Sequence, residues 1–209
     1  MKGKLIVISG LSAAGKGTIA KAMIDRFDNY VLSISATTRD KRAGEIDGVH
    51  YFFVSKERFE EMIKNEELLE YAKYVDNYYG TPKKYVLDKL EEGKNVILEI
   101  EMQGALKVKE IYKDAILVFL LPKSAKIQKE RLISRGRENE TQIGERLKQG
   151  IIDATYAKKY DYVLVNNVLD DSISDMQKVV DGTIDKNLKQ KNLDILEKIV
   201  SDIREEKYV

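Results

Sequence analysis

Short apolar runs alternate with amphipathic stretches along this chain. Continuous apolar runs lie at residues 5–8, 96–98, 115–121 and 162–165, and the third of them is followed by Pro122. Runs that are apolar at every position are typical of parallel strands buried on both faces. We therefore predict four parallel strands in one central sheet.

Helical periodicity occupies the intervals between these strands. Apolar positions recur at helical spacing over residues 18–27 and 105–111, and again in two successive helices from residue 173 onward. Helices between parallel strands imply right-handed crossovers and a layered α/β fold. The last helix could pack on its own core or in a weak homodimer, so we expect a monomer or a weak dimer.

Two segments interrupt this alternation. Residues 35 to 94 are polar and rich in tyrosine, with one short helical pattern around Phe59 and Met62. Residues 124 to 158 have the pattern of two charged helices. We expect both segments to be insertions that stand off the sheet.

Composition excludes several classes of function. The 209 residues include 36 basic and 35 acidic ones, a formal net charge of +1 that gives no general attraction to nucleic acid or anionic membrane. The chain has no cysteine, which excludes disulfides and thiol chemistry, and its single histidine, His50, excludes a multi-histidine metal site. No apolar run is long enough to span a bilayer, and the N-terminus lacks a signal-peptide pattern. We expect a cytoplasmic protein with no nucleic-acid or membrane partner.

A glycine-rich loop connects the first strand to the first helix. Its residues are Gly10, Leu11, Ser12, Ala13, Ala14, Gly15, Lys16, Gly17 and Thr18. Backbone N–H groups of such a loop turn toward an anion, and the lysine reaches the outer phosphates of a nucleotide. The loop therefore predicts a nucleoside triphosphate site at the carboxyl edge of the sheet.

The same loop departs from its usual pattern after the lysine. Gly17 stands where a Ser or Thr hydroxyl commonly holds magnesium, and Thr18 comes one residue later. The metal ligands therefore stay open. We expect Mg²⁺ to be held mainly by phosphate oxygens and water.

Two arginines three residues apart, Arg39 and Arg42, form a second candidate phosphate site. Arginine binds phosphate oxygens through paired hydrogen bonds, and the phenols of Tyr51 and Tyr79 can donate to the same group. Taken alone, these residues are explained better by a solvated charged loop with partly packed tyrosines.

A third basic group lies in the second insertion. Between residues 123 and 137 there are one acid and six basic residues, namely Lys123, Lys126, Lys129, Arg131, Arg135 and Arg137. A solvated helix face accounts for the lysines, and the absence of interleaved aromatic residues argues against RNA binding. Arg131 and Arg135 are four residues apart and share one helix face, and Arg146 follows on the next helix.

Several further motifs follow one another in a fixed order. They are SISATTR at 33–39, RAGE at 42–45, HYFFV at 50–54, NYYGT at 77–81, ILEIEMQG at 97–104, Arg131-Leu132, Arg135-Gly136 and Val165-Asn166. Together with the glycine-rich loop, this order resembles the guanylate kinase family over residues 4 to 167. The resemblance implies an α/β, three-layer P-loop kinase fold with a parallel central sheet, an inserted GMP-binding subdomain and a helical lid.

The resemblance also divides the chain into three parts. It implies a core at 1–34, 95–123 and 159–209, a GMP-binding insertion at 35–94 and a lid at 124–158. It implies that the substrates are ATP and GMP or dGMP, that Mg²⁺ is required, and that ADP and GDP are formed. The nucleophile would be a phosphate oxygen that is already ionised, so no general base is needed and His50 is expected to be structural or exposed.

The resemblance assigns roles to individual residues. It implies that catalysis uses Lys16, Arg39, Arg131, Arg135 and Arg146. It adds Asn166 to the glycine-rich loop as an ATP contact. It places the GMP phosphate against Arg39, Arg42, Tyr51 and Tyr79, and the guanine against Ser35, Glu70 and Thr81. It also places Glu99 and Glu101 beside GMP, at positions where the family carries aspartates.

There is a chemical reason for a carboxylate beside the guanine base. Guanine presents two N–H donors beside the O6 acceptor, so Glu70 can accept both donors while a hydroxyl donates to O6. Adenine has an acceptor at N1, which a carboxylate would repel.

Two other functions stay open. A Gly-Thr pair after the lysine also occurs in adenylate kinases, so a nucleoside monophosphate kinase with another base preference is possible. The other is a guanylate-kinase-like module that binds proteins and has lost catalysis. The presence of Lys16, Arg39, Arg42 and the lid arginines favours the enzyme.

Overall fold

A computed structural model describes residues 2–74, 76–136 and 138–205 of the chain. Its strands are β1 (Leu5–Gly10), β2 (Tyr30–Leu32), β3 (Ala36–Thr37), β4 (Phe52–Phe53), β5 (Leu68–Tyr74), β6 (Asn77–Pro82), β7 (Asn95–Glu99), β8 (Ile116–Pro122) and β9 (Tyr162–Asn166). Its helices are α1 (Lys16–Arg26), α2 (Lys56–Lys64), α3 (Lys83–Glu91), α4 (Met102–Ile111), α5 (Ala125–Arg135), α6 (Glu140–Ala154), α7 (Leu169–Asp181) and α8 (Leu188–Arg204), with a 3₁₀ turn at Ala157–Lys159.

The central sheet is parallel and has the order β2-β7-β1-β8-β9 within the described residues. Every residue of β1 is buried, which requires helices on both faces of the sheet. The layered α/β fold is therefore confirmed. The four predicted strands correspond to β1, β7, β8 and β9, whereas the edge strand β2 was not predicted because it is only three residues long.

A second sheet, β4-β3-β6-β5, stands apart from the first among the described residues. Helix α2 packs on it and closes a small separate core of Ala36, Phe59, Met62 and Leu68. In the part of the chain that the structure describes, the two sheets share no strand, although Leu69 of β5 belongs to the main core. Helix α3 behaves differently, because its Val86 and Leu90 are fully buried in the main core although residues 83–91 fall inside the expected insertion.

Helices α5 and α6 do not stand off the sheet, contrary to expectation. Each has an apolar face in the main hydrophobic core, formed by Ala125, Leu132, Ile143 and Leu147. Both helices pack against α8, whose buried side chains are Leu193, Leu196, Ile199 and Ile203. The last helix therefore packs on its own chain, while the oligomeric state stays a prediction.

The segment between α5 and α6 has clear local determinants. Helix α5 ends at Gly136, which is left-handed, and α6 begins after Asn139, whose side chain forms a reciprocal capping box with Gln142. Arg137, one of the six basic residues noted above, lies outside the described residues. Across the described ranges, no helix is both long and apolar enough to cross a membrane.

Candidate active site

The glycine-rich loop has little room for side chains. Gly15 is left-handed, and a Cβ placed there would lie 2.3 Å from Nδ2 of Asn166. A Cβ on Gly10 would lie 2.2 Å from the carbonyl oxygen of Leu120. These close approaches explain why glycine occupies both positions, because any side chain would displace β8 or Asn166.

Side chains from neighbouring elements hold the backbone of the loop through hydrogen bonds. Asn166, at the end of β9, donates through Nδ2 to the carbonyl of Ala14 at 2.8 Å and accepts from Ser172 at 3.0 Å. Gln128 of α5 donates to the carbonyl of Ser12 at 3.0 Å. Asn166, predicted to contact ATP, is thus in position to shape the loop.

A cavity of about 250 Å³ lies in front of the loop, and both cationic and acidic side chains line it. Its lining includes Lys16, Arg135 and Arg146. Lys16 Nζ donates to the carbonyl of Gly10 at 3.2 Å. Arg146 donates to the Ser12 hydroxyl at 3.3 Å and pairs with Glu138 at 3.2 Å. The loop and helices α5 and α6 therefore present three cations to a cavity that is also lined by Glu99, Glu101 and Asp153. Cations in such a position can bind the oxygens of a polyphosphate.

Arg131 occupies a different environment from the other two lid arginines. Its guanidinium donates to the carbonyls of Asn166 at 3.0 Å and Ala13 at 3.4 Å, and it is not among the side chains that line the cavity. Burial, and secondarily the charge of Arg135, lowers the pKa of Arg131. In this conformation Arg131 stabilises the backbone of the loop and does not reach the cavity in front of it.

Arg39 is held by a carboxylate and by aromatic rings. Its two terminal nitrogens donate to Glu45 at 3.1 and 2.7 Å, and its guanidinium lies 5.5 Å from the ring centre of Tyr51. Glu45 also accepts from the backbone N–H of Arg42 at 2.8 Å. Arg39, followed by the backbone of Arg42, lowers the pKa of Glu45 to about 2. The ring of Tyr79 stands edge-on to Tyr51, so the predicted phosphate residues other than the exposed Arg42 side chain form one cluster.

Glu70 and Thr81 form a buried polar pair beside this cluster. The Thr81 hydroxyl donates to Glu70 Oε1 at 2.6 Å, and Glu70 is only 9% exposed. Burial raises the pKa of Glu70, and the Thr81 hydrogen bond opposes that shift. Glu70, Ser35, Tyr51 and Tyr79 line a cavity of about 650 Å³, whereas Thr81 lines the adjoining cavity.

Glu99 and Glu101 lie where these cavities meet. Both follow the buried part of β7, and both line the loop cavity and the two cavities around Glu70 and Thr81. Burial raises the pKa of Glu99, while Lys16 and Arg135 lower it. The two carboxylates therefore lie between the loop cavity and the cavity that Glu70 lines.

His50 has a structural hydrogen bond, as expected. Its Nδ1 accepts from the backbone N–H of Ile46 at 3.0 Å, which leaves Nε2 as the protonated nitrogen of the neutral ring. The described residues contain no group of three or more His, Asp or Glu side chains arranged to hold a metal ion.

A comparison with protein families matches residues 2–183 to the guanylate kinase family model. The chain belongs to the guanylate kinase family. The guanylate kinase of Clostridioides difficile is 44% identical over 202 residues, which cover 97% of this chain and 98% of that protein. The guanylate kinase of Caldanaerobacter subterraneus is 49% identical over 86% of this chain and 87% of its own length.

A solved structure gives the same result for the fold. The crystal structure of guanylate kinase from Anaplasma phagocytophilum aligns with a TM-score of 0.65 at 28% identity, covering 90% of this chain and 89% of that one. The resemblance noted in the sequence is therefore confirmed. The roles of individual residues are not tested by these similarities and stay predictions.

Two residues that line the cleft were not predicted from the sequence of this guanylate kinase family member. Gln149 and Asp153 of α6 line both the loop cavity and the large cavity, and Gln149 donates to Asp153 at 3.0 Å. They follow Arg146 by three and seven positions and so share its helix face. Helical spacing from Arg146 was the signal that could have found them.

Some residues of the predicted nucleotide-binding loop do not have side chains in the cleft. Leu11 and Ala14 are fully buried under the loop, and Thr18 is exposed and absent from the lining of these cavities. Leu11 and Ala14 can therefore contact a nucleotide directly only through their backbone groups.

Proposed function

We propose that this chain transfers the γ-phosphoryl group of ATP to GMP, and to dGMP, giving ADP and the nucleoside diphosphate. The observation that carries the proposal is the junction at Glu99 and Glu101, which line the loop cavity and also the cavities around Glu70 and Thr81. Membership in the guanylate kinase family supports the same activity.

The base pocket supports guanine as the acceptor base. Glu70 uses Oε1 to accept from Thr81 and has further lone pairs for the N1–H and N2–H donors of guanine. Both residues are buried, so a base that lacks these donors would leave Oε2 of Glu70 without a hydrogen bond. Adenine should therefore be rejected strongly.

The Arg39 cluster supports binding of the acceptor phosphate. Glu45 occupies two guanidinium donors of Arg39, in the paired geometry that a phosphate would also adopt. Tyr51 and Tyr79 stand beside it and can donate to the same oxygens. In the proposed reaction, a phosphate oxygen of GMP attacks the γ-phosphorus in line and the bond to the β-phosphate oxygen breaks.

Charge stabilisation would come from both sides of the loop cavity. Lys16, Arg135 and Arg146 surround the space where negative charge accumulates on the transferring group. Arg135 and Arg146 lie on α5 and α6, so those helices also help to exclude water from the reacting phosphates. Arg131 would act by holding the loop backbone, through its bonds at Ala13 and Asn166.

The residues present fit a magnesium ion that is held largely by its substrate. Glu99 and Glu101 line the loop cavity, and Gly17 has no hydroxyl to offer. Mg²⁺ in such sites keeps several waters and uses one or two carboxylates together with phosphate oxygens. When bound, the ion supplies neutralisation of phosphate charge.

The test is an assay of the purified protein with ATP and Mg²⁺ against GMP, dGMP, AMP, UMP and dTMP, with ADP as the readout. We expect turnover with GMP and dGMP, and kcat/KM for AMP lower by about 1,000-fold or more. Preferred turnover with AMP would overturn the assignment of the base pocket. Binding of GMP without turnover would overturn the enzymatic proposal in favour of a binding module. A cytoplasmic location and a monomer or weak dimer stay predictions.

A further inference from the structure

Helix α4 approaches the Glu70 carboxylate at a residue without a side chain. A Cβ built on Gly104 would lie 2.9 Å from Glu70 Oε2 and 3.4 Å from its carboxyl carbon. Real Cβ atoms do not come this close to an oxygen, so the third residue of α4 has to be glycine for the carboxylate to stay where it is.

Glycine is otherwise a poor choice at this position. It lies inside a helix, where glycine is disfavoured relative to alanine because it loses more backbone freedom on folding. No turn or left-handed conformation requires it, since its φ lies outside the positive range. The close contact with Glu70 is the feature that accounts for it.

We propose that Gly104 is a positioning residue that sets base specificity by fixing the orientation of the Glu70 carboxylate. Thr81 holds Oε1 from one side at 2.6 Å, and the bare backbone of α4 leaves room for Oε2 on the other. Both oxygens then lie where they can accept the two adjacent donors of guanine. The proposal rests on the proposed role of Glu70 as the guanine reader.

A methyl group at position 104 would have different effects on folding and on recognition. Oε2 is the far end of a flexible side chain, so it can swing away with little disturbance of the fold. The same movement turns the carboxylate away from the orientation set by Thr81. Guanine would then lose one of two hydrogen bonds to a charged acceptor.

The test compares Gly104→Ala with Gly150→Ala. Gly150 lies inside α6, and a Cβ there would meet Gln128 and Leu11 at an ordinary 3.7 Å. For Gly104→Ala we expect KM for GMP to rise about 10-fold or more, since one charged hydrogen bond is worth about that factor, with KM for ATP within about 2-fold. Gly150→Ala should leave KM for GMP near wild type, and neither variant should lose thermal stability.

A second variant tests the contact itself. Glu70→Asp shortens the side chain and withdraws the carboxylate from position 104. We expect this change to raise KM for GMP by a smaller factor in the Gly104→Ala background than in the wild type, because the clash is already relieved. If the role of Gly104 were purely structural, the fold-increases in KM for GMP caused by the two substitutions would multiply in the double variant.

The outcomes separate this proposal from the proposed function. Unchanged KM for GMP in Gly104→Ala, with a large increase in Glu70→Gln, would overturn the role of Gly104 and leave the base pocket intact. Unchanged KM in both variants would overturn the role of Glu70 and the inference that rests on it. An equal increase in KM for GMP and ATP in Gly104→Ala, or multiplicative factors in the Asp series, would also contradict the proposal. Loss of the folded state in Gly104→Ala would contradict it as well, because the proposal expects the carboxylate to move while the fold is kept.

Discussion

Glu45 and Glu70 are two carboxylates of one cleft whose environments differ. Glu45 is surrounded by donors, from the guanidinium of Arg39 and the backbone of Arg42, and these lower its pKa to about 2. Glu70 is buried with one hydroxyl donor, and burial raises its pKa. The two residues should therefore affect stability with opposite dependence on pH.

For Glu45, removal of the charge should destabilise the protein at neutral pH. The lowered pKa means that its contribution is fully present above the ordinary value of 4.5 and is lost as pH falls toward about 2. We expect Glu45→Gln to unfold at lower urea concentration than wild type at pH 7, with a gap that narrows below pH 4.5. A gap that is independent of pH would contradict this account.

For Glu70, the sign is reversed. A raised pKa means that the folded state favours the protonated form, so stability is lost as pH rises above the ordinary value of 4.5 and through the folded pKa. Glu70→Gln, whose amide oxygen can still accept from Thr81, should be more stable than wild type at pH 7 and equal to it at low pH. Chemical unfolding at several pH values measures both variants, and a less stable variant at pH 7 would refute the prediction.

Lys16 and Arg135 should affect the chemical step far more than the fold. Both line the loop cavity, and the hydrogen bond described for the Lys16 amine is to the carbonyl of Gly10. We expect Lys16→Ala and Arg135→Ala each to lower kcat by about 100-fold or more, with thermal unfolding close to wild type. Exposed Lys126→Ala, on the helix that carries Arg135, is the matched control. Wild-type turnover in either cleft variant would exclude that residue from catalysis.

At the scale of single elements, the start of α6 is stabilised by a specific cap. Asn139 accepts from the backbone of Gln142 at 2.9 Å, and Gln142 accepts from the backbone of Asn139 at 3.0 Å. We expect Asn139→Ala to lower the free energy of unfolding by about 1 kcal/mol. Asn187→Ala is a matched control, because Asn187 precedes α8 without a side-chain cap bond. Equal losses in both variants, measured by urea unfolding, would contradict the role of the cap.

The elements also show which local patterns are informative. Continuous apolar runs predicted β1, β7, β8 and β9, because burial on both faces leaves no polar position in a strand. None of the four strands of the second sheet, β3 to β6, was predicted. Two of them, β3 and β4, are only two residues long and have no measurable periodicity. The strand β3 pairs with both β4 and β6, which are distant from it in sequence.

At the scale of the whole molecule, α8 joins parts that are far apart in the chain. It packs against β9 of the sheet and against α5 and α6, and its Asn192 donates to the carbonyl of Val163 at 2.7 Å. The part of the chain that matches the family model ends at residue 183, before this helix begins. Its apolar face therefore contributes to the stability of both the sheet and the helices that carry the cleft arginines.

Leu196, near the middle of α8, should be important for the stability of the whole domain. It is 3% exposed, so truncation to alanine should lower the free energy of unfolding by about 2–5 kcal/mol. Ile111→Ala is a suitable control, because Ile111 is 53% exposed and should change stability little. A small effect of Leu196→Ala in thermal unfolding would mean that α8 is not part of the cooperative core.

The sequence by itself determined the fold class, the glycine-rich loop and the family, because strand burial, loop chemistry and motif order are local properties of the chain. Only the tertiary structure brought α5 and α6 into the main core and placed Arg131 against the carbonyl of Asn166. The short distance between Gly104 and Glu70 was also decided only by the tertiary structure. These features depend on distances between residues that are remote in sequence, and such distances are fixed only when the packing of the sheet, the insertion and the helices is complete.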